Sequence, residues 1–160
     1  MNPLLVILMG SKSDLGFAQK VKEAAQSFGF EVVMRVASAH KTAAHALELL
    51  QQYESDPRPK VYVTIAGRSN ALSGFTDGTV TAPVIACPPI SEAFAGADIF
   101  SSLRMPSGIA PAVVLEPANA ALLAAKIIAV ADPEMRKAIK AYQAKMQNCI
   151  LADDQEIQTL

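Results

Sequence analysis

Apolar residues in this chain gather into short unbroken runs, and stretches with helical spacing separate those runs. The first run, "PLLVILMG", is closed by glycine and reads as a strand buried on both faces. In "SDLGFAQKVKEAAQSFG", Phe17, Val21, Ala24 and Phe28 recur at helical spacing between a cap from Ser13 or Asp14 and a terminal glycine. "EVVMRVAS" is read as a second buried strand, "TAAHALELLQQYE" as a second helix and "DPRPK" as a turn. "VYVTIAG" is a third strand with a short helix after it, "APVIACPP" a proline-bounded fourth and "PAVVLE" a fifth. "NAALLAAKIIAVA" is strongly helical, and "DPEMRKAIKAYQAKMQNCILADD" opens a last helix with proline in its first turn. No repeat or interdomain linker is visible. Residues 1–160 therefore read as one domain, whose Ala-rich final helices, the C-terminal one (about 133–150) included, are expected to pack in an oligomer.

Short apolar strands alternating with helices predict an α/β fold, a three-layer α/β/α sandwich around a parallel sheet. Right-handed crossovers leave few topologies, and a flavodoxin-like strand order is the expected one. Ligands in such sheets bind beyond the carboxyl ends of the strands. "GSKSD", "SAHK", "AGRSNALSG" and "CPPISEAFAGAD" should therefore share one rim.

Composition adds an expectation about assembly. Hydrophobic residues make up 51% of the 160 positions and charged residues only 18%. So little polar cover implies apolar surface buried between subunits. A net charge of -1 without a basic run argues against nucleic acid and anionic membranes as partners. "LLVILM" is too short for a membrane span and lacks a signal peptide's basic start and cleavage site, so a cytoplasmic address is expected. Cys87 and Cys149 lie too far apart in sequence to form a metal-ligand cluster or a disulfide framework.

On the rim, Gly10 permits a tight turn, and the hydroxyls of "MGSKSD" with the free amides of a helix start can hold a phosphate. An ordinary helix cap is the competing reading. Neither GxGxxG nor GxxxxGK[ST] occurs, so no dinucleotide cofactor is expected. In "SAHK", Lys41 can neutralise phosphate and Ser38 can add a hydroxyl. His40 is the one rim side chain that ordinarily titrates near neutrality, which makes it the natural proton carrier. His45, inside the predicted helix, is read as structural or surface, and no carboxylate or cysteine nearby makes the two histidines a metal site. "AGRSNALSGF" is small enough for backbone to approach a ligand, and Arg68 is either an anion contact or a solvated charge. The long connection over residues 88–111 is a lid, a subunit contact or a spacer.

Taken in order, "MGSKSD", "SAHKT", "AGRSNALSGF", "SSLRMPSGI" and "NAALLAAKI" resemble the phosphoribosylaminoimidazole carboxylases of purine biosynthesis over nearly the whole chain. The resemblance implies a flavodoxin-like fold in tetramers or octamers, and one of two activities. Class I members are mutases that move the carboxylate of N-carboxyaminoimidazole ribonucleotide to carbon 4. Class II members carboxylate aminoimidazole ribonucleotide directly with carbon dioxide. The class I loop after the third strand carries a histidine, in a pattern like AGAGGAAHLPG, and class I usually reads "SAHR". Here the loop is "AGRSNALSG", shorter and without histidine, and Lys41 follows His40. Both departures resemble class II. By motif, Ser11, Ser13, Ser38 and Lys41 would hold the phosphate and Asp14 the ribose hydroxyls, with Gly10 and Ala39 in the same binding turns. His40 would transfer the proton, while Gly67, Arg68, Ser69 and Asn70 would line the imidazole and carbon dioxide pocket. No cofactor or metal is implied.

Readings outside the family fit less well. A phosphoacceptor receiver domain needs an acidic pair after the first strand and an aspartate ending the third, where this chain has "MGSKSD" and "IAGRSN". A flavin carrier needs aromatic residues to sandwich the ring, and aromatics here total 6% with no tryptophan. A non-catalytic flavodoxin-like module that binds a phosphorylated ligand is the remaining alternative.

Overall fold

The computed structural model describes residues 1–159. Its sheet is built on β1 (Leu4–Met9), every residue of which is buried, as an uninterrupted apolar run requires. A short 3-10 turn (Lys12–Asp14) leads into α1 (Leu15–Ser27), followed by β2 (Glu31–Val36), α2 (Ala43–Glu54) and β3 (Lys60–Ile65). Then come α3 (Ala71–Asp77), β4 (Val84–Ala86), 3-10 turns at Glu92–Phe94 and Ala97–Ile99, and α4 (Phe100–Leu103). β5 (Ala112–Val113), α5 (Pro117–Ile128) and α6 (Pro133–Ile157) complete the chain. All pairings are parallel and the strand order is β2-β1-β3-β4-β5, the flavodoxin-like order expected from the alternation of elements.

Period-two alternation divides the core into two layers. Leu5, Ile7, Met9, Val61, Val63 and Ile65 face α1, α5 and α6, and pack with Val21, Phe28, Met135 and Ile139. Leu4, Val6, Leu8 and Tyr62 face the other way, against Leu49 and Leu50 of α2 and Leu72 of α3. Register is tightly fixed under these conditions, because a slip of one residue would exchange both apolar sets. The crossovers therefore hold all strand carboxyl ends at one edge.

Three expectations need correction. β2 is an edge strand of intermediate burial, not a fully buried one, because only β1 pairs with it. The alanines of α5 are consumed inside the chain: Ala120, Ala121, Ala124 and Ala125 are fully buried against α1 and the sheet. α6 runs past residue 150 to Ile157. Its first turns are anchored by Met135, Ile139 and the tilted contact of Tyr142 with Phe28 at 5.3 Å, while Met146, Ile150, Leu151 and Ile157 are exposed. Among the described residues no helix is long and apolar enough to cross a membrane.

Opposite the rim, an ion-paired cluster closes the amino ends of the strands. Arg58 donates to Asp56 Oδ1 at 3.0 Å and Oδ2 at 2.7 Å, and to Glu31 at 2.6 Å. Hydrogen bonds from the Arg58 side chain, then from its amide, hold the Asp56 carboxyl at about 2 instead of 3.8. Burial raises the Glu54 carboxyl, yet hydrogen bonds from Thr81 and Tyr62 and the charge of Lys60 outweigh it and leave the group below its ordinary 4.5. Both carboxyls are depressed, so their stabilisation is present above the unfolded values and is lost as pH falls toward about 2. Thermal melting followed by circular dichroism should be nearly flat above pH ~5 and fall steeply below pH ~4. Asp56→Asn should remove part of that acid limb.

Candidate active site

In this strand order the chain leaves β1 toward β2 and then crosses to β3 on the other side. Such a reversal opens a crevice between the carboxyl ends of β1 and β3. Gly10 stands at that point: its amide donates to the Ile65 carbonyl at 2.9 Å, and a Cβ there would sit 3.4 Å from that of Ala66. The crevice widens into a cleft of about 580 Å³ lined from four segments. Gly10, Ser11, Ser13 and Asp14 come from the first, and Ser38, Ala39, His40 and Lys41 from the second. Gly67, Arg68 and Ser69 form the third wall, and Pro89, Ile90 and Ser91 the fourth.

The first wall is a capping box. Ser11 is the N-cap of the 3-10 turn; its Oγ accepts the Ser13 amide at 3.2 Å and touches Ser13 Oγ, while Asp14 Oδ2 reaches back to the Ser11 amide at 3.2 Å. Asp14 is the N-cap residue of α1, one of the two expected, although its side chain makes no cap bond there; the side-chain cap is made one turn earlier, by Ser11. The hydroxyl-bearing residues Ser11 and Ser13 line the cleft at this helix start, a suitable cradle for a phosphate.

The second wall is a closed turn. The Ser38 carbonyl accepts the Thr42 amide at 2.8 Å, the Ser38 amide donates to Thr42 Oγ1 at 3.0 Å, and Ser38 Oγ accepts the Lys41 amide at 3.2 Å. These bonds hold His40 exposed at the tip, where its ring can meet a ligand. Ser38 keeps its own hydroxyl proton for donation. His45 lies exposed on α2, 3.9 Å from Glu48, and takes no part in the cleft.

The third wall is tied down from a distance. Arg68 has φ 59°, a left-handed conformation that costs a non-glycine residue roughly 1–2 kcal/mol. Its amide donates to Asp98 Oδ2 at 3.2 Å and its carbonyl accepts from Ser101 Oγ at 3.1 Å. Asn70 departs from expectation. It is buried, accepts the Ser73 amide as the cap of α3, and donates to Ser102 Oγ at 2.9 Å. Its polar atoms are spent on structure, and it does not line the cleft.

Ala66, Leu72, Pro89, Ile90 and Ser91 line the cleft without having been singled out. The prolines after β4 were the available signal, since they start a connection on the same rim. That connection is no bare spacer: two 3-10 turns and α4 order it, and Asp98 and Ser101 pin it to the third wall.

Comparison with known proteins agrees with this geometry. The family model described as AIR carboxylase matches residues 4–149. The chain is 56% identical to a phosphoribosylaminoimidazole carboxylase of Treponema denticola, covering 98% of this chain and 99% of that protein. It is 51% identical to the phosphoribosylaminoimidazole carboxylase of Archaeoglobus fulgidus, over 95% of this chain and 83% of that one. The crystal structure of Treponema denticola PurE superposes with a TM-score of 0.95 at 56% identity, covering 97% of this chain and 98% of that one. On sequence and fold alike, the chain belongs to the AIR carboxylase family of enzymes.

Proposed function

We propose that this protein carboxylates aminoimidazole ribonucleotide with free carbon dioxide, forming the carbon-4 carboxylate of de novo purine biosynthesis. The observation that carries the reading is the cleft itself. It joins a hydroxyl-rich capping turn, the His40 tip and the Arg68 loop, and His40 is the one imidazole among its described lining residues. A ribonucleotide of this kind presents a phosphate for Ser11, Ser13, Ser38 and Lys41, and ribose hydroxyls for Asp14. Its ring then extends toward Gly67, Arg68 and Ser69.

The chemistry needs little more. The aminoimidazole is an electron-rich enamine, so carbon 4 attacks carbon dioxide directly; a carbon–carbon bond forms and one carbonyl electron pair moves to oxygen. Carbon 4 then carries both hydrogen and carboxylate. His40 removes that proton, the C–H pair restores aromaticity, and the imidazolium returns the proton in the reverse, decarboxylating direction. Arg68 stabilises the new carboxylate. Positioning by the phosphate grip supplies the rest, without metal, biotin or ATP.

The loop "AGRSNALSG" favours this direct carboxylase over the mutase of the same family, because no second histidine stands in it to handle a carbamate. The test supplies aminoimidazole ribonucleotide with bicarbonate and carbonic anhydrase, and separately the N-carboxylated substrate, and follows the carbon-4 carboxylate by absorbance. Faster product from the first is expected. Efficient conversion of the second alone would make the protein a mutase, and tight ligand binding with neither reaction would leave a phospholigand-binding module.

The same reading includes a cytoplasmic homotetramer or homo-octamer. Ile90, Phe94, Phe100 and Leu103 around the cleft, and Ile150, Leu151 and Ile157 on α6, are each half or more exposed. Sedimentation at micromolar protein should find a tetramer or larger, and a fully active monomer would refute that part.

A further inference from the structure

We propose that Asp98 is a positioning residue that fixes the width of the cleft and aims Arg68 into it. Asp98 does not line the cleft. A single oxygen, Oδ2, accepts the amides of two residues that do: Arg68 at 3.2 Å and Ser91 at 3.1 Å. Those amides belong to opposite segments, the loop after β3 and the connection after β4. One carboxylate therefore ties two walls together.

Two features set this arrangement apart from an ordinary loop contact. The first is the left-handed Arg68, a conformation that persists only where its surroundings over-determine it. Asp98 holds the amide side of Arg68. Ser101 holds the carbonyl side, lies 2.8 Å from the Asp98 carbonyl, and accepts the Asn70 amide at 2.9 Å. The second is Asp98 Oδ1, which is buried without a hydrogen-bond partner. An unpaired buried oxygen is unfavourable. Retaining one beside a strained arginine makes sense if the geometry it enforces is used.

Without Asp98, Arg68 can relax toward negative φ, which redirects its side chain, and Ser91 is released. The turns at Ser11 and Ser38, proposed to bind the phosphate, make no hydrogen bond to this latch. Loss of Asp98 should consequently affect turnover and the use of carbon dioxide far more than affinity for the ribonucleotide. This inference rests on the carboxylation proposed above for its kinetic readout.

The experiment compares Asp98→Ala, Asp98→Asn, Arg68→Gly and the Asp98→Ala/Arg68→Gly double variant. Asp98→Ala should lower kcat roughly tenfold or more while the dissociation constant for aminoimidazole ribonucleotide stays within about twofold. Asn keeps a carbonyl acceptor for both amides, so Asp98→Asn should recover part of that loss. Glycine adopts positive φ freely and has no side chain to aim, so adding Asp98→Ala to Arg68→Gly should cost less than about twofold more. Amide hydrogen exchange read by mass spectrometry over residues 66–70 and 88–98 should accelerate in Asp98→Ala and return toward wild type in Asp98→Asn. Additive losses in the double variant, or unchanged exchange in Asp98→Ala, would overturn the proposal. If wild type fails to carboxylate the ribonucleotide, the proposed reaction falls while the exchange measurement still decides the role of Asp98.

Discussion

Replacing His40 by asparagine should leave ribonucleotide binding nearly intact and reduce turnover by at least about 10²-fold. The separation of binding from rate follows from where the residue stands. His40 is exposed at the tip of a turn closed by Ser38 and Thr42, so its ring carries no packing that asparagine would forfeit. Ser11, Ser13, Ser38 and Lys41, the proposed phosphate ligands, are left in place. Asparagine preserves size and hydrogen bonding but cannot take a proton from carbon 4, and no other imidazole among the described residues lines the cleft. His45→Asn is the control: exposed on α2, it should change stability by less than about 0.5 kcal/mol and leave kcat near wild type. Titration calorimetry with aminoimidazole ribonucleotide and steady-state kinetics separate the two effects. Comparable kcat in His40→Asn and wild type would remove the proton-transfer assignment.

Gly67→Ala is expected to be the most damaging single methyl group in the molecule. A Cβ at Gly67 would lie 2.7 Å from the carbonyl oxygen of Pro89, a backbone atom that cannot rotate away. The loop after β3 and the segment after β4 must then separate, in the very region where Asp98 ties them together. Overpacking of this kind costs roughly 1–3 kcal/mol of stability. The displaced Arg68 wall should cost more, up to about 10²-fold in kcat/KM, since catalysis by positioning tolerates little movement. Gly16→Ala makes the contrast. It sits in the first turn of α1 with nothing within 4 Å of the added methyl, and should stabilise the protein slightly without touching activity. Denaturant melts and initial rates on both variants test the contrast, and a fully active Gly67→Ala would show that the two walls need not meet.

The central strands were legible because burial on both faces leaves a run of apolar residues that no polar position interrupts. β1 is the clear instance, and in β3 only Thr64 breaks the run after Lys60. β2 has much the same local pattern but forms an edge, a property set by which strands pair and not by its own residues. That the turns at Gly10 and Ser38 share a cleft was legible because small and hydroxyl-bearing residues lie where strands give way to helices on one rim. Asn70 was visible as a polar residue before a helix, and its capping role is local; its bond to Ser102 joins residues 32 apart and has no local signature. The same holds for Asp98, which contacts Arg68 across 30 residues. Composition indicated an apolar surplus but could not apportion it. The alanines of α5 proved internal, while many of the exposed apolar residues lie in the connection after β4 and along α6.

Free carbon dioxide as the carboxyl donor is the central claim, and the reverse reaction tests it most directly. Carboxyaminoimidazole ribonucleotide labelled isotopically in its carboxylate is mixed with the enzyme under a membrane-inlet mass spectrometer, and aminoimidazole ribonucleotide is sampled in parallel. In direct decarboxylation, His40 delivers the proton to carbon 4 and the carbon–carbon bond breaks, leaving carbon dioxide free in the cleft. Labelled carbon dioxide and aminoimidazole ribonucleotide should therefore appear together, without lag and at equal rates. Prompt accumulation of the N-carboxylated ribonucleotide, with labelled carbon dioxide released only as that compound decays, would contradict the claim.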